Sequence, residues 1–284
     1  MANFFLHENC DKSFKQQELF VAPSSKVKLA NKELHDREAP YYDILHSEIW
    51  NFYEQLLIKK DIKQIIKIVG KPAQVLDVGC GTGNLSLKFL MLGSRVTALD
   101  ISQRMLDILQ SKVSNTLKRR ICVVCRDVDE FLAEEKEYYD VICFSSVLHH
   151  LPNYLATLNL AISKLKPGGI IYIVHEPLPF ERVFRNRVIE AVDGYLNCLR
   201  IHRKRMTLPS FNYSMTDVHS KKGIRLKSLM VLMQKRNMNI MMLNEYAPHK
   251  TWICSILAEL LHEKLLPATC ARRIGHYKVD VHVI

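Results

Sequence analysis

Val75-Leu76-Asp77-Val78-Gly79-Cys80-Gly81-Thr82-Gly83 is an apolar run that breaks into three glycines at alternate positions. Val75, Leu76 and Val78 suit a buried parallel strand, and the glycines allow a turn that a Cβ would obstruct. Residues 84–92 (NLSLKFLML) read as the helix that follows. A strand, a glycine turn and a helix N-terminus form a cradle in which a ligand can press against backbone. The spacing departs from the dinucleotide fingerprint G-x-G-x-x-G. Here the glycines follow G-x-G-x-G, with an acid, Asp77, two residues upstream. A carboxylate there is a poor neighbour for a pyrophosphate and a good one for a cation.

Outward from this loop, strand-like and helix-like stretches alternate from Val75 to Val174, the pattern of a parallel sheet. Strands are expected at 95–100, 121–125, 140–144 and 170–174. Helices are expected after Ser102, around Glu130, and from Pro152 to Leu165. Lys166-Pro167-Gly168-Gly169 reads as a turn that ends the last of these helices. Upstream, residues 47–69 read as one helical stretch covering the sheet edge. Downstream, residues 178–222 interrupt the alternation with a helix-like piece (182–199) and a basic, turn-rich segment. Helix (224–236), strand (239–246) and helix (252–265) then resume. Residues 277–284 form a last, strictly alternating strand, suited to antiparallel pairing at the sheet edge.

The E/D-x-G-x-G-x-G form of Asp77–Gly83 resembles the first motif of the class I S-adenosylmethionine (SAM)-dependent methyltransferases. Asp140-Val141-Ile142 and Leu165-Lys-Pro-Gly-Gly resemble the later motifs of that family. The likeness covers residues 73–177 closely and the flanks loosely. It implies an α/β, Rossmann-like, seven-stranded and mostly parallel sheet with helices on both faces, an antiparallel last strand and an inserted substrate cap. The corresponding organisation is an N-terminal cap segment (1–47), a cofactor-binding core (48–177 and 223–284) and a substrate-capping insertion (178–222).

The expected ligand positions are strand ends. Asp100 ends the second strand, 17 residues after Gly83, close to the spacing expected of an acid that grips ribose hydroxyls. Asp127 follows the third strand and resembles the family's acceptor for the adenine amine, with Val128 offering a backbone amide; a helix N-cap is the alternative reading of Asp127. Ser145-Ser146 follows the fourth strand and lines the sulfonium end. Together, the resemblance places SAM, and its product S-adenosylhomocysteine, against Tyr42, Asp77, Gly79, Cys80, Gly81, Gly83, Asp100, Ile101, Met105, Asp127, Val128 and Ser145. For Tyr42, plain packing is an equal alternative.

Methyl transfer from a sulfonium asks the protein mainly to align groups and exclude water. A general base is needed only when the attacking atom is protonated. Four residues at the ligand-facing edge could serve: His149 and His150 after the fourth strand, and His175 and Glu176 at the end of the fifth. A structural role stands beside each. Asp217 and His219 would share one side of an extended segment as a substrate or metal pair, although such loop residues are more often solvated, and no metal is assigned. After the fourth strand there is no Asn/Asp-Pro-Pro-Tyr for exocyclic amines and no Pro-Cys for cytosine C5 chemistry. Ser145-Ser-Val-Leu-His-His resembles instead the small-molecule O-, N- and C-methyltransferases. The expected reaction is methylation of a small metabolite. An RNA or nucleoside methyltransferase and a SAM-binding protein without transfer stand as alternatives.

Bulk properties frame these readings. The net charge of +11, with basic clusters at 118–120, 200–205 and 221–222, favours an acidic or phosphate-bearing partner. Aromatic residues do not interleave with these clusters as a nucleic-acid stacking platform requires. No apolar run is long enough to span a bilayer and no signal peptide is evident, so a cytoplasmic protein with reduced thiols is expected from its eight cysteines. Cys122 and Cys125 are expected to be buried strand residues.

Overall fold

In the computed structural model, the structure describes residues 24–177, 187–203, 208–219, 223–242, 251, 253–257 and 277–281. The described residues begin with α1 (Ser24–Glu38), α2 (Tyr42–Leu45), α3 (Ser47–Trp50) and α4 (Phe52–Val69). Strand and helix then alternate: β1 (Gln74–Val78), α5 (Asn84–Met91), β2 (Arg95–Asp100), α6 (Gln103–Lys112), β3 (Ile121–Cys125), α7 (Val128–Glu134), β4 (Tyr139–Ser145), α8 (Tyr154–Ile162) and β5 (Leu165–Val174). There follow α9 (Arg187–Arg203), α10 (Leu226–Lys235), β6 (Met238–Met242) and β7 (Tyr277–Val281).

The strand order is β3-β2-β1-β4-β5-β7-β6. Strands β1 to β5 run parallel, giving an α/β, Rossmann-like sheet with helices on both faces. From β1 the chain winds outward to β3, then returns to place β4 on the other side of β1. That reversal opens a crevice at the strand C-termini between β1 and β4, the usual ligand position of such sheets.

Alternate residues of each central strand feed two separate cores. Leu76, Val78, Ile142, Phe144, Ile171 and Ile173 pack with α7, α8 and α10. Val75, Val96, Ala98, Val141, Cys143 and Tyr172 pack with α4, α5 and α6. Burial on both faces is why these strands read as continuous apolar runs.

Four expectations are corrected. Residues 47–69 are two helices, because Asn51 takes an extended backbone (ψ 155°) and its side chain caps α4 by accepting from Glu54 N. Lys166–Gly169 do not precede the fifth strand: Leu165 already pairs with Tyr139, and the next register pair is Ile170 with Val141. The turn therefore bulges out of β5, with Gly168 at φ +75°. The last strand is antiparallel to β5 but does not lie at the edge, since β6 flanks its other side. Alternating polarity marks a half-solvated face and says nothing of how many neighbours a strand has. Cys122 and Cys125 are exposed, not buried, because β3 is the edge strand. Of the helix expected at 252–265, only residues 253–257 fall among the described residues.

Candidate active site

The glycine loop leaves β1 with Gly79, Gly81 and Gly83 all at positive φ (+61°, +51° and +95°). Two of these positions are filled by neighbouring side chains. A Cβ on Gly79 would lie 2.4 Å from Val147 Cγ2, and one on Gly83 would lie 2.2 Å from Leu109 Cδ1. Gly81 differs: a Cβ there would meet only Tyr42, at 4.0 Å. It is the glycine that leaves room for a ligand.

Asp100, at the end of β2, holds this loop. Its Oδ2 accepts from Gly81 N at 2.8 Å and its Oδ1 from Ser102 N at 2.8 Å. Each carboxylate oxygen keeps a further lone pair. Ser102 in turn caps α6 by accepting from Met105 N.

These groups line a cleft of about 710 Å³, counting its mouth. Val78, Gly79 and Gly81 form one wall and Leu99, Asp100, Ile101 and Met105 a second. Arg126, Asp127 and Val128 close the far end from β3. Ser146, Val147, His150, Leu151 and Pro152 enter from the segment after β4. Lys28, Asn31 and His35 of α1, with Tyr42, make the roof.

The cleft thus gathers eight of the expected cofactor residues: Tyr42, Gly79, Gly81, Asp100, Ile101, Met105, Asp127 and Val128. The other four lie behind it. Asp77 is buried and accepts from both Ser86 N (2.9 Å) and Ser86 Oγ (2.5 Å). It therefore ties β1 to the first turn of α5 rather than facing the cleft, and burial pushes its pKa up to about 7 against those hydrogen bonds. Cys80 is buried and donates its backbone N–H to Leu99 O. Gly83 admits Leu109. Ser145 meets His175 Nδ1 at 3.3 Å, and the next residue, Ser146, lines the cleft in its place. Ser146 adopts φ +54°, which turns the chain at the strand end.

Asp127 is a helix cap that also stands at the cleft. It caps α7 by accepting from Asp129 N and Glu130 N, and it lines the cleft. It is also paired with Lys28 Nζ at 2.7 Å.

Of the four expected base residues, the structure brings only His150 to the cleft lining. The His175 side chain is buried, on a backbone at φ +59°, with Nε2 3.5 Å from Glu54 Oε2 of α4. It belongs to the core between β5 and α4. Glu176 is likewise no free base. Its carboxylate accepts from Val147 N (2.7 Å), Leu148 N (2.8 Å) and His149 N (3.2 Å), and from His149 Nδ1 at 2.8 Å. It closes the short helical turn Leu148–His150 as a cap. Burial alone would raise the Glu176 pKa, but His149 and these amides hold it below the usual range. Burial, reinforced by His150, keeps His149 below the usual histidine value despite Glu176.

His150 Nδ1 lies 3.1 Å from Asp217 Oδ1 and 3.2 Å from Thr216 O. Its ring packs on His149 (4.1 Å) and edge-on to His35 (5.0 Å). His219 makes contacts of its own. Its backbone N–H donates to His149 O, and its Nε2 sits 3.3 Å from Pro152 O. The far sequence segment thereby meets the turn after β4.

The roof is braced by charge. Tyr42 packs on His46 at 4.4 Å; His46 Nε2 lies 2.7 Å from Glu38 Oε1, and Tyr213 OH donates to Glu38. Burial would raise Glu38, but His35, His46 and Tyr213 hold it at about 2. Burial opposes charge on His46 too, yet Glu38 and Glu48 hold it at about 9.

Sequence reasoning missed Lys28, Asn31 and His35. They fall at i, i+3 and i+7 of α1, a polar stripe along one helix face that was the available signal. The basic residues 204–205 and 221–222 lie outside the described residues, as do the side chains of Arg200 and Arg203. Among the described residues, no helix is long and apolar enough to cross a membrane.

Known proteins resemble parts of this sequence and its fold. Residues 75–169 match a family described as "Methyltransferase domain". The ubiquinone biosynthesis O-methyltransferase of Xanthomonas campestris pv. campestris is 34% identical over 103 residues, 36% of this chain and 42% of that protein. Its namesake from Coxiella burnetii is 32% identical over 113 residues, 40% of this chain and 47% of the relative. The chain thus spans less than half the length of these curated relatives. Among solved structures, the plantazolicin methyltransferase BpumL in complex with SAH superposes with TM-score 0.52 at 16% identity, over 90% of this chain and 97% of that one. The magnesium protoporphyrin IX methyltransferase ChlM from Synechocystis PCC 6803, with bound SAH, gives 0.51 at 15%, over 89% and 97%. At these identities the likeness is one of fold. Over residues 75–169 the sequence matches a methyltransferase domain, and the strand-end cleft lies at the C-terminal ends of the strands in that stretch.

Proposed function

We propose that the chain is a SAM-dependent methyltransferase that methylates an oxygen of a small-molecule acceptor. The observation that carries this reading is the Asp100–Gly81 cradle. It places a pinned carboxylate beside the one loop glycine whose Cβ position is open to the cleft. The residues fit the cofactor. Asp100 offers an acceptor for ribose hydroxyls, worth about 1.5–3 kcal/mol for a charge-assisted bond. Met105, Ile101 and Val128 supply apolar wall for a base, and Asp127 an acceptor at its edge. Gly79, Gly81 and Tyr42 leave space for the remaining chain, while Asp77, Cys80 and Gly83 shape the loop from behind.

When bound, SAM supplies a methyl already activated on a sulfonium. What this chain contributes is alignment and exclusion of water. Tyr42 and His35 cover the cleft from above, Ser146 and His150 bound its acceptor side, and His149 and Glu176 fix the turn that presents His150. The preference for oxygen rests on the names of the curated relatives. The charge of +11 favours an acidic or phosphate-bearing acceptor.

The reading extends to the whole chain: residues 1–47 as a cap, 48–177 and 223–284 as a core completing the seven-stranded class I sheet with its antiparallel strand, and 178–222 as substrate cover. Contacts of Tyr213 with Glu38 and of Asp217 with His150 support that cover. The test is calorimetry with SAH, followed by incubation of the full chain with methyl-labelled SAM and phenolic, carboxylic and phosphorylated metabolite pools. Micromolar SAH binding with label in an acid- and base-characterised methyl ether or ester supports the reading. Absence of SAH binding overturns it, and label in RNA alone overturns the acceptor class.

A further inference from the structure

We infer that His149, His150 and Asp217 form a binding site for a first-row divalent transition ion such as Zn²⁺, set into the acceptor side of the cleft. One ring nitrogen of each histidine and one carboxylate oxygen of Asp217 lie within 4.8 Å of one another. Three features raise this above a chance cluster. The first is ligand identity. Two imidazoles and one carboxylate suit the borderline ions that bind nitrogen and oxygen together, not Mg²⁺ or Ca²⁺, which prefer all-oxygen shells.

The second is orientation. Glu176 accepts from His149 Nδ1 at 2.8 Å while three backbone amides pin its buried carboxylate. That is the outer-shell pattern of metal-bound histidines: a carboxylate fixes the ring and its tautomer, leaving the Nε2 lone pair for an ion. The third is spacing. Ligands about 2.0–2.1 Å from a tetrahedral ion stand roughly 3.3–3.4 Å apart. His150 Nδ1 and Asp217 Oδ1 are already 3.1 Å apart. The His149 and His150 ring centroids lie 4.1 Å apart, so the two imidazoles stand side by side next to Asp217.

Three protein ligands leave coordination open, and His150 lines the cleft. The ion would therefore present that opening to an oxygen donor of the acceptor. This last step rests on the methyltransferase reading; the site itself does not.

The experiment titrates the chelator-treated full chain with Zn²⁺ alone by calorimetry and with Co²⁺ alone by visible absorption, without cofactor or acceptor. Wild type should bind one ion, with a Co²⁺ ligand-field band, and Asp217→Asn and His150→Ala should weaken binding at least tenfold. Circular dichroism and thermal unfolding show that each variant is folded. Asp217→Asn retains the side-chain shape should His150→Ala fail to fold. No binding by wild type, or unchanged binding in Asp217→Asn, overturns the site and leaves His150–Asp217 as an ion pair. SAH binding without Zn²⁺ binding refutes the metal site alone. Zn²⁺ binding without SAH binding refutes the cofactor reading alone.

Discussion

The carboxylate of Asp100 joins the glycine loop to the helix after the next strand: Oδ2 takes Gly81 N and Oδ1 takes Ser102 N, both at 2.8 Å. Removing it withdraws an acceptor from the cleft and frees the loop at once. Asp100→Ala should weaken SAH binding by tenfold or more, the loss of one charge-assisted bond of about 1.5–3 kcal/mol. Calorimetry showing unchanged affinity would remove Asp100 from the site.

Gly79 and Gly81 should respond differently to the same substitution. In Gly79→Ala the new Cβ meets Val147 Cγ2 at 2.4 Å and the residue keeps φ +61°, so stability should fall by about 2–4 kcal/mol. In Gly81→Ala the only neighbour is Tyr42 at 4.0 Å, leaving a backbone cost of about 1–2 kcal/mol, while SAH affinity falls further than stability. Denaturant unfolding beside SAH calorimetry separates the two, and equal profiles would contradict the geometry.

Glu176 is the most heavily used carboxylate of the site. Glu176→Ala should cost about 3–5 kcal/mol by stranding three amides and His149. Its pKa is lowered in the fold, so its contribution is present above its ordinary value of 4.5 and is lost as pH falls through the folded value. Acid unfolding of wild type and Glu176→Gln, followed by fluorescence, should show the variant with the shallower loss below pH 4.5.

The roof predicts the opposite slope. His46 is held at about 9 against an ordinary 6.5, so its contribution is complete below pH 6.5 and is lost as pH rises toward 9. Glu38, held at about 2, contributes above 4.5 and loses that only as pH falls through 2. Urea unfolding should therefore show wild type about 2 kcal/mol less stable at pH 9 than at pH 6 from this cluster. His46→Gln should remove that difference.

Asp127 serves a helix and the cleft together. Asp127→Ala should cost about 1 kcal/mol through the lost cap of α7 and should weaken SAH binding less than Asp100→Ala does. With Lys28→Ala, a double-mutant cycle on stability should return a coupling of about 0.5–1 kcal/mol for this partly exposed pair. A coupling of zero would mean the Lys28 contact contributes nothing.

The sequence alone determined the sheet. Both-face burial makes the central strands β1, β4 and β5 apolar runs, and Arg95–Asp100 and Ile121–Cys125 are read to the residue because each is bounded by polar or capping positions. It also determined the glycine loop and the strand-end acids, since positive φ and helix capping are local demands that restrict residue type. Tertiary structure decided which of those residues face a ligand. Asp77 and Asp100 are indistinguishable as strand-end acids, yet Ser86 draws the first inward while Gly81 and Ser102 hold the second at the cleft. Four histidine and glutamate candidates reduced to His150 because Glu54 and the turn amides claim His175 and Glu176. Asp217 and Lys28 come from segments 67 and 99 residues distant from their partners His150 and Asp127. No local pattern encodes such meetings; they arise only when the sheet brings its strand ends to one edge and distant segments close over it.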